Sequence, residues 1–433
     1  MNPIQILKTM IKSDLFTIQT ETAFRPGQII SGKVSALFPN QIAEVQVGTQ
    51  KLIAQLEVPL SVNERYWFQV QQGEGKIHLK MVAQDGGDGT RSKLPSAQLA
   101  AQVGLSPTKE NIQLLEFAVR SSLPISKEWI ELGAAWLKNL PEQAPGLETI
   151  KLMQNKGLPF TEMVFSALLS ARDPEPIQSV MERLSFLLKN DPLETSGHLQ
   201  DILNKLLGKT DFSLLPNIDW GDGKAVGRQI KQMIKTIGFN YENELLQNGV
   251  DSQKTQNEPS LKPLLIRYLN ENPGDDQKHA AEQLLNRVTA LQLLSSDSGA
   301  IQQFVAQIPV FFPHMTKEAT IQWNGRKQEN GRIDPNYCRI LFYLELETIG
   351  ETLVDVQIQN RIMTLSVMNE RKELKEVAGS LIKPLKEKLS QLDYHLTSFS
   401  FLQPSDQQPL SDRIKKAAIP AAHYDLQGVD LRI

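Results

Sequence analysis

The side chains that could carry chemistry in this chain are few and scattered. Six histidines (His78, His198, His279, His314, His395 and His423) stand far apart, and no two have the spacing a zinc site needs. The single cysteine, Cys338, opens an apolar β-type run and reads as a small core residue rather than a nucleophile. Alone, it can form neither an internal disulfide nor a cysteine-built metal site. Gly221-Asp222-Gly223-Lys224 superficially suggests a phosphate loop. The required spacing ahead of a Gly-Lys-Ser/Thr ending is missing, and no β run precedes it, so it reads as a turn that starts a helix. Glu345, Glu347 and Asp355 could meet across neighbouring strands, where paired carboxylates can share acid–base work. On alternating strands such residues are far more often a solvated sheet face. The expectation is a protein with no catalytic residue, no metal and no cofactor.

The same stretch offers a different use. Leu341 and Tyr343 alternate onto the side that carries Glu345 and Glu347, and that mixture of apolar and acidic groups suits a protein partner. These four residues are the candidate partner-binding set. The plainer reading of the pattern is a solvated face, or one covered by the chain's own tail.

The elements that would position this set are the most legible in the chain. Phe342, Leu344 and Leu346 alternate with Tyr343 and Glu345; Val354, Val356 and Ile358 alternate with Asp355, Gln357 and Gln359; Met363, Leu365 and Val367 alternate with Thr364 and Ser366. Asn360-Arg361 forms the tight turn between the last two runs. This is an antiparallel meander with one apolar side. The period then changes to three and four, with Leu374, Val377, Leu381, Leu385, Leu389 and Leu392 on one stripe of a helix. Asn369 is placed to cap that helix, and Pro384 to kink it. A last strand carries Phe399 and Phe401. The helix stripe is expected to cover the apolar side of the sheet.

From Leu344 to Phe401 this block resembles the C-terminal domain of the flagellar hook-length control proteins. The likeness rests on the strand ending in Ile349-Gly350, on Val354-Asp355-Val356, and on a strand ending at Asn369-Glu370. It continues through the Leu-rich helix and the Phe399–Phe401 strand, and Val429-Asp430-Leu431-Arg432-Ile433 is similar to the family's ending. Leu346 stands where the family commonly has Pro, and Leu392-Asp393-Tyr394 where it commonly has Gly. The resemblance implies a non-enzymatic, protein–protein role: engaging the cytoplasmic domain of a type III export-gate protein to regulate which substrates are exported. Family rulers usually have a long, poorly ordered N-terminal half. This chain reads as folded over most of its length, which makes it a relative with a folded N-terminal half.

Composition supports a globular reading. The chain has 433 residues, 40% hydrophobic and 22% charged, with a formal net charge of -3. That length predicts several domains. The charge argues against a general binder of nucleic acid, which needs a concentrated positive face. The first residues show no secretory pattern, and no apolar run approaches the length of a bilayer span. A cytoplasmic protein is expected, or one exported through a flagellar type III route.

The predicted fold class is α+β multi-domain, with four segments. Residues 1–85 read as a short helix over 1–12 and then a small β-barrel of the OB or SH3 sort. Residues 95–305 read as a helical domain, 308–403 as the hook-length-like domain, and 404–433 as an extended tail. A barrel of that sort can bind single strands through stacked aromatics. Tyr66, Trp67 and Phe68 are consecutive, however, and cannot share one face. Two alternatives to the export-gate reading follow: a cytoplasmic scaffold that shares only the fold, and single-stranded nucleic-acid binding through the barrel.

Overall fold

A computed structural model of the chain describes residues 24–48, 50–71, 77–84, 96–173, 175–209, 222–242, 260–295, 297–298, 301–312, 315–328, 332–346 and 349–403. The expected helix at 1–12 and the 404–433 tail lie outside these residues. The α+β multi-domain class is what the structure has: a five-stranded barrel, a helical middle, and a C-terminal sheet with one helix. By contacts the chain divides into two compact units. One comprises Ile18–Asp173 and Gly274–Ser298, the other Pro174–Pro273 and Gly299–Ile433, so the 95–305 stretch is shared between them.

In the first unit, β1 (Ile29–Phe38), β2 (Ile42–Val47), β3 (Gln50–Leu56), β4 (Arg65–Gln71) and β5 (Ile77–Gln84) close in the order β1-β2-β3-β5-β4. Only β3 and β5 run parallel. This is the strand order of an OB barrel. The interior is filled by the inward half of each alternation, including Ile30, Val34, Val45, Ala54, Phe68 and Leu79. Gly32 belongs to that inward set because a Cβ there would stand 2.5 Å from Val45 Cγ1. Gly32→Ala should therefore cost about 1–3 kcal/mol by overpacking, read as a lower urea midpoint. An unchanged midpoint would mean that β1 and β2 can separate at no cost.

Helices complete this unit: α1 (Ser96–Val103), α2 (Lys109–Arg120), α3 (Lys127–Lys138), α4 (Gln143–Lys156), α5 (Glu162–Ser170) and α10 (Asp275–Leu294). Thr108 and Thr161 cap α2 and α5 by accepting from the backbone N–H of Asn111 and Val164. Trp136 stacks between Phe160 and Phe165, with centroids 4.8 and 5.0 Å away. Arg287 on α10 is buried and donates from Nη1 to the carbonyls of Ser170 (2.8 Å) and Asp173 (3.1 Å). A cation there gives the Ser170 carbonyl, which also accepts from Asp173 N, a second donor and stands favourably at the negative end of the α5 dipole.

The second unit has helices α6 (Ile177–Leu187), α7 (Glu194–Leu206), α8 (Gly223–Ile237) and α9 (Leu261–Asn270). Asp222 caps α8 through Lys224 N at 2.9 Å, so the described part of the 221–224 stretch is the helix start that the sequence suggests. Gly238 ends the helix at φ 90, a left-handed conformation that suits glycine. The sheet of this unit has the strand order β12-β11-β10-β9-β8-β7. β6 (Asp297–Ser298) belongs to the first unit, and the strands here are β7 (Ile301–Phe312), β8 (Met315–Lys327), β9 (Ile333–Leu346), β10 (Gly350–Gln359), β11 (Ile362–Asn369) and β12 (His395–Leu402). The helix α11 (Leu374–Ser390) links β11 to β12, and this pair is parallel, as a helical crossover requires.

Two expectations for this unit are corrected. Asn369 does not cap α11, which begins five residues later. It is buried at the end of β11, where Nδ2 donates to the Ile349 carbonyl (2.9 Å), the Glu351 carbonyl (3.1 Å) and Thr352 Oγ1 (2.8 Å). The two N–H groups are shared among these three acceptors while Oδ1 accepts from Arg371 N at 2.8 Å, so the amide is worth more in this buried turn than at an exposed helix end. Nor does the stripe of α11 seal the apolar side of the sheet. The helix packs against β12, has no fully buried residue, and leaves Val377 (56%) and Leu381 (60%) exposed. Leu374, Ala378, Ile382, Leu385 and Leu389 are its half-buried stripe, so the helix is rotated relative to the sequence reading. The chain remains helical through Pro384.

Candidate functional site

Of the four candidate partner-binding residues, the two whose side chains are described, Leu341 and Tyr343, are buried. Leu341 is 5% exposed and Tyr343 only 1%. The backbone of Glu345 lies in β9, and Glu347 lies outside the described residues. β9 is an interior strand: Leu341 faces Gln322 and Asp355 across the ladders, and Tyr343 faces Thr320 and Leu353. In the same unit α6 packs against β8 and α8 against β7. The side with Arg339, Leu341 and Tyr343 is closed, and it holds a buried ion pair. Arg339 donates from Nε to Asp355 Oδ1 at 2.8 Å and from Nη2 to Oδ2 at 2.7 Å. Asp355 is thereby committed to structure.

Exposed apolar and aromatic side chains gather instead at one end of this sheet. Register places them together: Tyr337 opposes Gln359, Gln359 opposes Ile362 across the β10–β11 turn, and Ile362 opposes His395 at the start of β12. Tyr337 is 38% exposed, Ile362 48%, and Leu392, just ahead of β12, 54%. The backbone there is fixed, because the N–H groups of Leu392 and Tyr394 both bond the Leu389 carbonyl. Sequence reading missed this set. Tyr337 lay ahead of the runs read as strands, Ile362 beside a turn, and Leu392 was assigned to the helix stripe.

Burial pushes the Cys338 thiol up, with a smaller opposing effect from Trp323, so the thiolate that a nucleophile needs is disfavoured. Among the described residues no three His, Cys, Asp or Glu side chains stand where they could hold a metal ion. No helix of the described residues is long and apolar enough to cross a membrane.

The barrel presents a second surface. On the outer side of β1–β3, Phe38 pairs with Ile42, and Glu44 with Ile53. Phe38 and Ile53 are exposed, and Lys51 is bound to Glu44 at 3.1 Å. This is a mixed rather than a basic surface. Tyr66, Trp67 and Phe68 are all buried and offer no stacking platform, because the outward side of β4 is covered as well as the inward one.

Residues 6–80 match a family model described as the TP0910 S1-like domain, which agrees with the closed barrel. Over 120 residues the chain is 30% identical to the uncharacterized protein YlqG of Bacillus subtilis (strain 168). That stretch is 28% of this chain, and it spans only 21% of YlqG. No solved structure matches the chain significantly.

Proposed function

We propose that this chain is a non-enzymatic protein-interaction factor that engages its partner through the C-terminal unit. The observation that carries the reading is the cluster of exposed Tyr337, Ile362 and Leu392 on a fixed backbone at one end of the sheet. Aromatic and large apolar side chains held rigidly at a surface are what binding hot spots are made of. By the hook-length control resemblance, the partner is the cytoplasmic domain of a flagellar type III export-gate protein, and the role is to regulate substrate export. The protein acts from the cytoplasm, or travels through that export route.

The test is capture of the purified export-gate domain by the full chain. The expected result is specific capture, weakened about tenfold or more by Ile362→Asp with Leu392→Asp. Both positions are exposed, so the variant keeps its fold. A folded full-length protein that captures none of the gate domain at any salt would overturn the reading.

The S1-like match supports a second reading, single-stranded nucleic-acid binding on the outer side of β1–β3. It expects retention on immobilised single strands that falls with salt and is reduced by Phe38→Ala. The mixed charge of that surface and the burial of Tyr66, Trp67 and Phe68 weigh against it.

A further inference from the structure

We propose that the open edge of the C-terminal sheet is a docking site for the chain's own residues 429–433, which add there as a further strand beside β12, with Val429, Leu431 and Ile433 beneath the exposed side of α11. This goes beyond the partner reading and does not depend on it.

Among the described residues β12 is the last strand of its sheet and pairs on one side only, with β11. An edge strand presents a row of unpaired N–H and C=O groups, and proteins protect such edges with charges, prolines, bulges or a covering segment. Residues 395–402 include no Lys, Arg, Asp, Glu or Pro. The one register shift lies at the start of the pairing, between Met363 and Thr364, and 398–402 is regular. Protection of this edge is therefore left to a segment laid along it.

The helix shows where that segment lies. A helix is about 10 Å across and neighbouring strands are about 4.8 Å apart, so a helix on a sheet covers about two strands. α11 packs against β12, and β11 makes no comparable contact with it. The apolar side of β12 carries Phe399 and Phe401, in line with Leu365 and Val367, while Ser400 faces the other way and bonds Ser366 at 2.7 Å. The half-buried stripe of α11 takes up that one strand, and Val377 and Leu381 stay exposed beside the stripe. The helix overhangs the edge, and the strand position past β12 has an apolar roof.

The chain itself supplies an occupant. Val429, Leu431 and Ile433 alternate with Asp430 and Arg432, so a strand there has three apolar side chains on one side and two charges on the other. Paired with β12, the apolar three continue the side of Phe399 and Phe401, and the charges continue the side of Ser398 and Ser400. Pro404, Pro409 and Pro420 exclude the nearer part of the segment from such pairing. Residues 404–428 reach roughly 80 Å when extended, against roughly 26 Å for the eight residues of β12, so the return is long enough in either direction. The segment leaves from the end of β12 itself. That tether gives it a high effective concentration at the edge and favours it over a second copy of the chain.

Amide hydrogen exchange of the full chain tests this, with β9 and β10 in the same experiment reporting that each variant keeps its fold. In the wild type, 429–433 and β12 should exchange about tenfold or more slowly than in Leu431→Asp. Leu381→Asp, on the exposed side of α11, should release 429–433 to the same extent. Leu410→Asp, in the same segment but outside the alternating run, should change neither. Exchange of 429–433 at the rate of an unstructured peptide in the wild type would overturn the proposal. So would protection of 429–433 that survives either Leu431→Asp or Leu381→Asp, or an equal loss in Leu410→Asp. Protection of β12 that falls on dilution would give the edge to a second copy of the chain and overturn the proposal as well.

Discussion

Asp355→Ala should destabilise the C-terminal unit by about 3–5 kcal/mol, the largest loss expected from any single polar substitution in it. Arg339 and Asp355 are 10% and 13% exposed in their side chains, and two parallel N–H···O bonds of 2.8 and 2.7 Å join them across the β9–β10 ladder. Removing the carboxylate leaves a guanidinium in a closed face, and Arg339 Nη1 is already buried there without a hydrogen-bond partner. The cost is the desolvation of that stranded cation, not the worth of the pair. Arg339→Met combined with Asp355→Leu should therefore recover most of the loss, since two apolar groups need no partner. Urea unfolding of the wild type, both single variants and the double variant provides the cycle. A single-variant loss below about 1 kcal/mol would mean that water reaches the site and that the face is not closed.

The second large effect is in the first unit and depends on pH. Lys156 is 7% exposed and donates from Nζ to the Leu294 carbonyl at 3.2 Å, at the C-terminal end of α10. Burial lowers its pKa from 10.5 to about 8. Below pH 8 both folded and unfolded chains hold the proton, and the folded state bears the full cost of a buried cation. Between about 8 and 10.5 the unfolded chain binds more protons than the folded one, so stability rises with pH across that window. A shift of that size corresponds to roughly 3 kcal/mol between its two ends. Lys156→Met removes the titrating group, so the difference in stability between wild type and variant should close or reverse as pH rises from 7.5 to 10.5. Parallel pH profiles for the two proteins would show that Lys156 keeps an ordinary pKa.

Much of the fold was legible because periodicity is a local property. Alternation in β1–β5 and β9–β11, and the i, i+4 spacing in α2, α3, α5 and α10, depend on which side chains a strand or helix turns to one side. The turns were equally local. Asn360-Arg361 marks a two-residue hairpin turn, and Asp222 a helix start. The absence of motif chemistry could also be read directly, since Cys338 and the six histidines have no neighbours at useful spacing.

What the sequence could not decide is which sides are covered. A period of two groups Arg339, Leu341 and Tyr343 on one side of β9, and their mixed polarity reads as solvent-facing. Yet Gln307, Thr320, Gln322 and Arg339 are all buried on the sheet, which continues past β9 through β8 and β7, where α6 and α8 pack against it. The rotation of α11 was hidden for the same reason. Val377 and Leu381 share a broad apolar arc with Leu374 and Leu385, and only packing against β12 selects which part is half-buried. The end of the sheet where Tyr337, Ile362 and Leu392 gather draws on residues from Tyr337 to His395, which strand register brings together. Local sequence sets the period and the turns. Burial and convergence depend on non-local pairing, because whether a polar residue meets water is decided by what another part of the chain lays over it.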